Sequence, residues 1–139
     1  MSGAALASGG RRPRMSRVAV VGVDAAVVDA MITLLTQAGA TDVLRCLPPH
    51  IGRPPSGHNG LDRVAVLLLD VWPPEAAEEA CARWHHRCPR ALLIAVVHYP
   101  TTALVARLQR AGASTVWPKG LVRGLPEYVV WMAQGALAP

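Results

Sequence analysis

Val64-Ala-Val-Leu-Leu-Leu-Asp-Val-Trp-Pro-Pro74 decides how this chain folds. Six apolar residues, Val64 to Leu69, run without interruption. A half-exposed strand would alternate, so the run reads as a strand buried on both faces of a parallel sheet. It ends at Asp70, with Pro73 and Pro74 close behind. A carboxylate at the carboxyl end of a central parallel strand stands on the edge where open α/β sheets place their ligands. The stretch therefore points to a candidate site as well as to a fold.

The flanking sequence completes an alternating pattern. Arg17–Val23 reads as a first strand, followed by a helix on which Val28, Ile32 and Leu35 recur at helical spacing, capped by Gly39. Thr41–Leu47 reads as a short second strand. Pro48–Asp62 contains four prolines, three glycines and two histidines. With no apolar period it reads as a loop where an α/β chain would normally place a crossover helix. After the central strand, Pro73-Pro74 opens a helix over Glu75–Arg87 with acids in its first turns, as the helix dipole favours. Ala91–Val97 is a further apolar strand, closed by His98-Tyr99-Pro100. Thr101 or Thr102 caps a helix carrying Leu104, Val105, Leu108 and Ala111, which ends at Gly112. Ser114–Trp117 is a fifth strand before Pro118-Lys119-Gly120, and a last helix runs from Pro126 to Leu137. Strands alternating with helices, without an internal repeat, give a three-layer α/β fold around a five-strand parallel sheet.

A chain of 139 residues, 52% apolar, suits one domain with a real core, and no apolar run is long enough to cross a bilayer. We read residues 1–16 as a disordered basic tail and 17–139 as the domain. The tail lacks the order of charge, apolar core and cleavage site that a secretory signal needs. Arg11-Arg12 would suit a twin-arginine signal, but Val18–Val23 followed by Asp24 reads better as the first strand, and Met15 is an alternative start. Of the net charge of +5, Arg11, Arg12 and Arg14 carry three. Thirteen of the fourteen cations are Arg, Lys119 being the single Lys, a bias that fits a GC-rich genome as well as a phosphate-binding surface. Three cysteines, Cys46, Cys81 and Cys88, imply reduced thiols in a cytoplasmic protein rather than a disulfide framework.

Three segments carry a family resemblance. Leu67-Leu-Leu-Asp-Val-Trp-Pro-Pro74 resembles the phosphoacceptor segment of the CheY-like response-regulator receiver domain, especially the type that precedes a LuxR/NarL-type helix-turn-helix. Arg110-Ala-Gly-Ala-Ser-Thr-Val-Trp-Pro-Lys119 resembles the segment leading to that family's phosphate-pairing lysine. Val129-Val-Trp-Met-Ala-Gln-Gly135 is similar to its last helix. The resemblance covers Arg17 to Leu137. It implies a flavodoxin-like strand order 2-1-3-4-5, with the second helix replaced here by the Pro/Gly-rich loop. It also makes Asp70 the phosphoacceptor equivalent and Lys119 its cationic partner.

The same resemblance exposes losses. Phosphoryl transfer from a histidine kinase is positioning plus charge neutralisation, which the family achieves with Mg²⁺ held by two acids after the first strand. Those positions match Gly22 and Val23, with an acid, Asp24, only at the next one. Gly and Val offer Mg²⁺ no oxygen ligand from a side chain, so the reading disfavours the metal and implies no cofactor. The family's Ser/Thr at the end of the fourth strand matches Val97, which donates no hydrogen bond. Its aromatic switch matches Val116, with Trp117 adjacent. Asp70 and Lys119 then read as a structural ion pair, and the competing reading is an acceptor with a rearranged metal site.

Cys81, His85 and Cys88 fall at i, i+4 and i+7 on one helix, but one helix cannot wrap a tetrahedral ion, and His50 or His58 would have to complete the set. Core cysteines and helix-end histidines are the simpler reading. The last helix is apolar almost all round, so Tyr128 and Trp131 are expected to meet a protein partner or a second copy. The leading expectation is an atypical, stand-alone, non-enzymatic receiver acting in signalling or transcriptional regulation by protein contact. A histidine kinase acting on Asp70 is the alternative. A nucleic-acid binder using the arginine tail with Arg107 and Arg110 is the third, without an aromatic stacking platform to support it.

Overall fold

A computed structural model describes residues 17–57, 60–120 and 123–135. The basic tail, His58 and the last residues assigned to the final helix lie outside the described residues. Five strands, β1 (Arg17–Val21), β2 (Val43–Cys46), β3 (Val64–Asp70), β4 (Leu92–Val97) and β5 (Thr115–Pro118), form one parallel sheet ordered β2-β1-β3-β4-β5. The helices are α1 (Ala25–Gln37), α2 (Ala77–Arg87), α3 (Thr102–Ala111) and α4 (Leu125–Gly135). Fold class and strand order are those expected from the sequence.

Element ends differ from the expectation for identifiable reasons. β1 stops at Val21 because Asp24 takes the N-cap of α1, its Oδ1 accepting from the Ala26 amide at 3.0 Å. The segment after Pro73 begins as a short 3₁₀ turn, Pro74–Ala76, before α2 proper. Thr101 rather than Thr102 caps α3, accepting from the Leu104 amide at 3.1 Å. Gly112 follows at φ 127°, where a side chain would be strained and where its Cβ would strike the His85 ring.

Strand alternation divides the core into two layers. Ala19, Val21, Leu67, Leu69, Leu93, Ala95 and Val97 face α2 and α3, which supply Ala77, Ala80, Cys81, Trp84 and Leu108. Val18, Val20, Val66, Leu68, Ile94 and Val96 face α1 and α4, which supply Val28, Met31, Leu35, Val129 and Ala133. All seven residues of β3 are buried, as its unbroken apolar run requires.

Between β2 and β3 the described residues form turns and one 3₁₀ turn, Leu61–Arg63, with no α-helix. The chain lies across the α2 side as a strap. Buried Ile51 and Leu61 pack into that layer, and the buried Trp84 indole donates to the Ile51 carbonyl at 2.6 Å. Arg87 donates to the Pro55 carbonyl at 3.1 Å and to the Gly57 carbonyl, while Arg17 donates to the Gly60 carbonyl at 3.0 Å. These three side chains satisfy backbone groups that a helix would have satisfied internally.

Candidate functional site

Asp70 closes β3 and is paired in register with Val96 of β4. It is 1% exposed, and Lys119, just past β5, sets its ammonium 2.8 Å from Asp70 Oδ1. That approach is an ion pair rather than a well-directed hydrogen bond, and Oδ1 accepts no hydrogen bond from the described residues. The Lys119 amide also donates to the Val97 carbonyl at 2.7 Å, so main chain and side chain together tie the end of β5 to β4 and β3.

Gly22 lies against the other side of the carboxylate. A Cβ built there would sit 2.9 Å from Val28 Cγ2, 3.2 Å from Asp70 Cβ and 3.5 Å from Asp70 Oδ2. The first distance is too short for undisturbed packing, and Val28 is fully buried. Space that an acid would need at position 22 is therefore held by Val28 and by Asp70 itself.

The remaining residues singled out from the sequence are dispersed. Val23 is half-buried against the α2/α3 layer, and Asp24 is exposed and engaged as the α1 cap. Val97 also faces the α2/α3 layer, where it lines a cavity. Val116 packs on that same side, whereas Trp117, one residue on, faces α4. Val116 and Trp117 thus lie on opposite faces of β5, as strand geometry demands.

Gly22 and Val23 bring no side-chain oxygen, Asp24 is occupied by its helix, and Asp70 is held by Lys119. Among the described residues, no group of three His, Cys, Asp or Glu is placed to hold a metal ion. Cys81 and Cys88 are buried, and burial raises both thiols, Cys81 to about 12 with Glu78 adding to the shift. Both side chains pack in the α2/α3 layer of the core. Arg107 pairs with Glu78 at 3.3 Å, so one of the two α3 arginines already faces an anion.

On the far side of the sheet, three rings form a stair from β5 along α4. Trp117 and Tyr128 lie 5.5 Å apart between ring centroids, and Tyr128 and Trp131 lie 6.4 Å apart. Tyr128 is half-buried between its neighbours, while Trp131 is 66% exposed. No described helix is long and apolar enough to cross a membrane.

No protein-family model matches the chain, and no curated protein matches it. Solved structures do. A protein assigned to pilus assembly in Burkholderia thailandensis superposes with a TM-score of 0.71 at 22% identity, covering 85% of this chain and 98% of that one. The NarL receiver domain of Mycobacterium tuberculosis gives 0.64 at 18% identity over 88% of this chain and 99% of that one. This chain has the receiver fold. A third receiver-fold neighbour is an atypical orphan response regulator, described as revealing a phosphorylation-independent mechanism. It gives 0.63 at 11% identity over 85% of this chain and 95% of that one.

Proposed function

We propose that this chain is an atypical receiver that works in cytoplasmic signalling or transcriptional regulation by protein–protein contact, without Mg²⁺ and without phosphorylation of Asp70. The observation that carries this reading is the confinement of Asp70. A phosphoryl donor must reach a carboxylate oxygen in line, and the charge it delivers must be neutralised. Asp70 is 1% exposed, its counter-charge is a single ammonium, and Gly22 is packed against it. The chain is then not an enzyme but a contact module, and the stair ending at Trp131 is the surface we assign to a protein partner or a second copy. The phosphorylation-independent regulator of the same fold supports this reading.

A second reading is favoured by one specific observation, the preserved 2.8 Å pair between Lys119 and Asp70. On that reading Asp70 still accepts phosphate, from a histidine kinase or a small donor. Incubation of the whole chain with acetyl phosphate and Mg²⁺, followed by intact mass measurement, separates the two. An unchanged mass is expected. A gain of one phosphoryl group that is lost in Asp70→Asn overturns the leading reading.

A further inference from the structure

The cavity beside Val97 lies between two loops at the carboxyl edge of the sheet. It has a volume of about 460 Å³ and is lined by Val71, Trp72, Pro74, Ala77, Val97, His98, Tyr99 and Leu104. We propose that it is a binding site for a small, neutral, planar aromatic compound. The proposal stands on the cavity alone and does not depend on whether Asp70 accepts phosphate.

Size and concavity suit a small molecule, since such sites typically enclose roughly 300–1,000 Å³. The walls are mostly carbon, with Val71, Ala77 and Val97 buried and Leu104 half-buried. Rings stand at the mouth. Trp72 and His98 meet edge to face at 5.5 Å, and His98 and Tyr99 lie 6.1 Å apart. Trp72 is 48% exposed and Tyr99 85% exposed, an aromatic rim left open to solvent without a packing reason inside the domain.

The lining also says what is excluded. It contains no Lys, Arg, Asp or Glu. The nearby ammonium of Lys119 is engaged by Asp70. An anion such as a phosphate ester would lose its hydration against an uncharged wall and gain no counter-charge, and a cation would meet no carboxylate. What the site does offer is stacking on Trp72 and Tyr99, plus hydrogen bonding from the indole, imidazole and phenol at the rim. A flat neutral ring system with at most one polar group matches that set.

The test uses the full chain and the neutral fluorophore N-phenyl-1-naphthylamine. Saturable binding of one probe per chain is expected. Trp72→Ala, which removes one wall, and Leu104→Trp, which fills the interior, should each weaken it at least tenfold while circular dichroism stays native. Trp131→Ala, on the aromatic stair, should leave it unchanged, and 2-naphthol should compete where phenyl phosphate does not. Absence of saturable binding overturns the proposal. So does loss of binding in Trp131→Ala with retention in Trp72→Ala and Leu104→Trp, or equal competition by phenyl phosphate.

Discussion

Lys119 Nζ lies 2.8 Å from Asp70 Oδ1, and it is the only cation paired with the one buried acid among the described residues. Removing one partner of such a pair leaves an uncompensated buried charge, whereas replacing both by apolar groups of similar volume is often tolerated. Lys119→Met should therefore lower the unfolding free energy by about 3 kcal/mol. The double variant Asp70→Leu/Lys119→Met should recover most of that loss. Urea midpoints measure both, and a double variant no more stable than the single one would contradict a structural role for the pair.

Gly22 has no room for a side chain. Gly22→Ala should cost about 1–3 kcal/mol, because its methyl would press on Val28 Cγ2 and Asp70 Cβ. Val28→Ala opens the space, so the two changes together should cost less than their separate losses combined. A thermal-unfolding double-mutant cycle reads this directly, and strict additivity would show that the contact is relieved at no cost.

The strap depends on Trp84. Trp84→Phe keeps a ring in the core but removes the donor to the Ile51 carbonyl, at an expected cost of about 1–2 kcal/mol. Amide hydrogen exchange across Leu47–Gly57 should accelerate more than exchange in β3. Uniform acceleration over the whole chain would mean that the bond serves the global core rather than the strap.

Trp131 should behave as a contact residue. Trp131→Ala should change unfolding stability by no more than about 0.5 kcal/mol, since the ring is 66% exposed. If the partner is a second copy, sedimentation velocity should show a concentration-dependent association of the wild-type chain that this variant weakens about tenfold or more. Identical sedimentation of both proteins at high concentration would remove Trp131 from any self-contact.

Alkaline stability should follow Cys81. Burial and then the Glu78 charge push its thiol up to about 12, whereas an exposed thiol ionises near about 8.5. Between those values the unfolded chain releases the proton and the native chain keeps it. The stabilisation is therefore complete below the unfolded value and is lost progressively as pH rises towards 12. The melting temperature should fall over that window, less steeply in Cys81→Ala. Equal slopes would mean that Cys81 ionises as freely in the folded protein as in the unfolded chain.

Strand order, the place of Asp70 and its pairing with Lys119 were legible in the sequence, because each rests on local pattern and on chain order. The unbroken run Val64–Leu69 can be satisfied only in the middle of a covered sheet, and the middle strand positions its neighbours. The departure of Val116 from Trp117 could also be foreseen in kind, since adjacent strand residues point oppositely. Which one faces which layer depends on register, and β5 is four residues long with no strong apolar alternation to set it. Val97 closes β4, where the sequence places it, and its side chain packs in the α2/α3 layer.

Two features had no sequence signal at all. The hydrogen bond from Trp84 to Ile51 joins residues 33 positions apart, one of them in a segment without period. The cavity at Trp72 and Tyr99 exists only because two loops from different strands end side by side, and nothing in either loop alone announces the other. Long-range side-chain meetings of this kind are properties of the assembled sheet.

The strap has a mechanical consequence for the sheet it crosses. A helix beside β2 would press a full stripe of side chains onto that end of the sheet, whereas here Ile51 and Leu61 are its main buried anchors. Loss of the Trp84 and Arg87 tethers would let water reach β2, a short outer strand whose far edge has no strand neighbour among the described residues. Denaturation of this molecule should accordingly start as a peel from that border, while β3 and β4 still hold their protons from exchange.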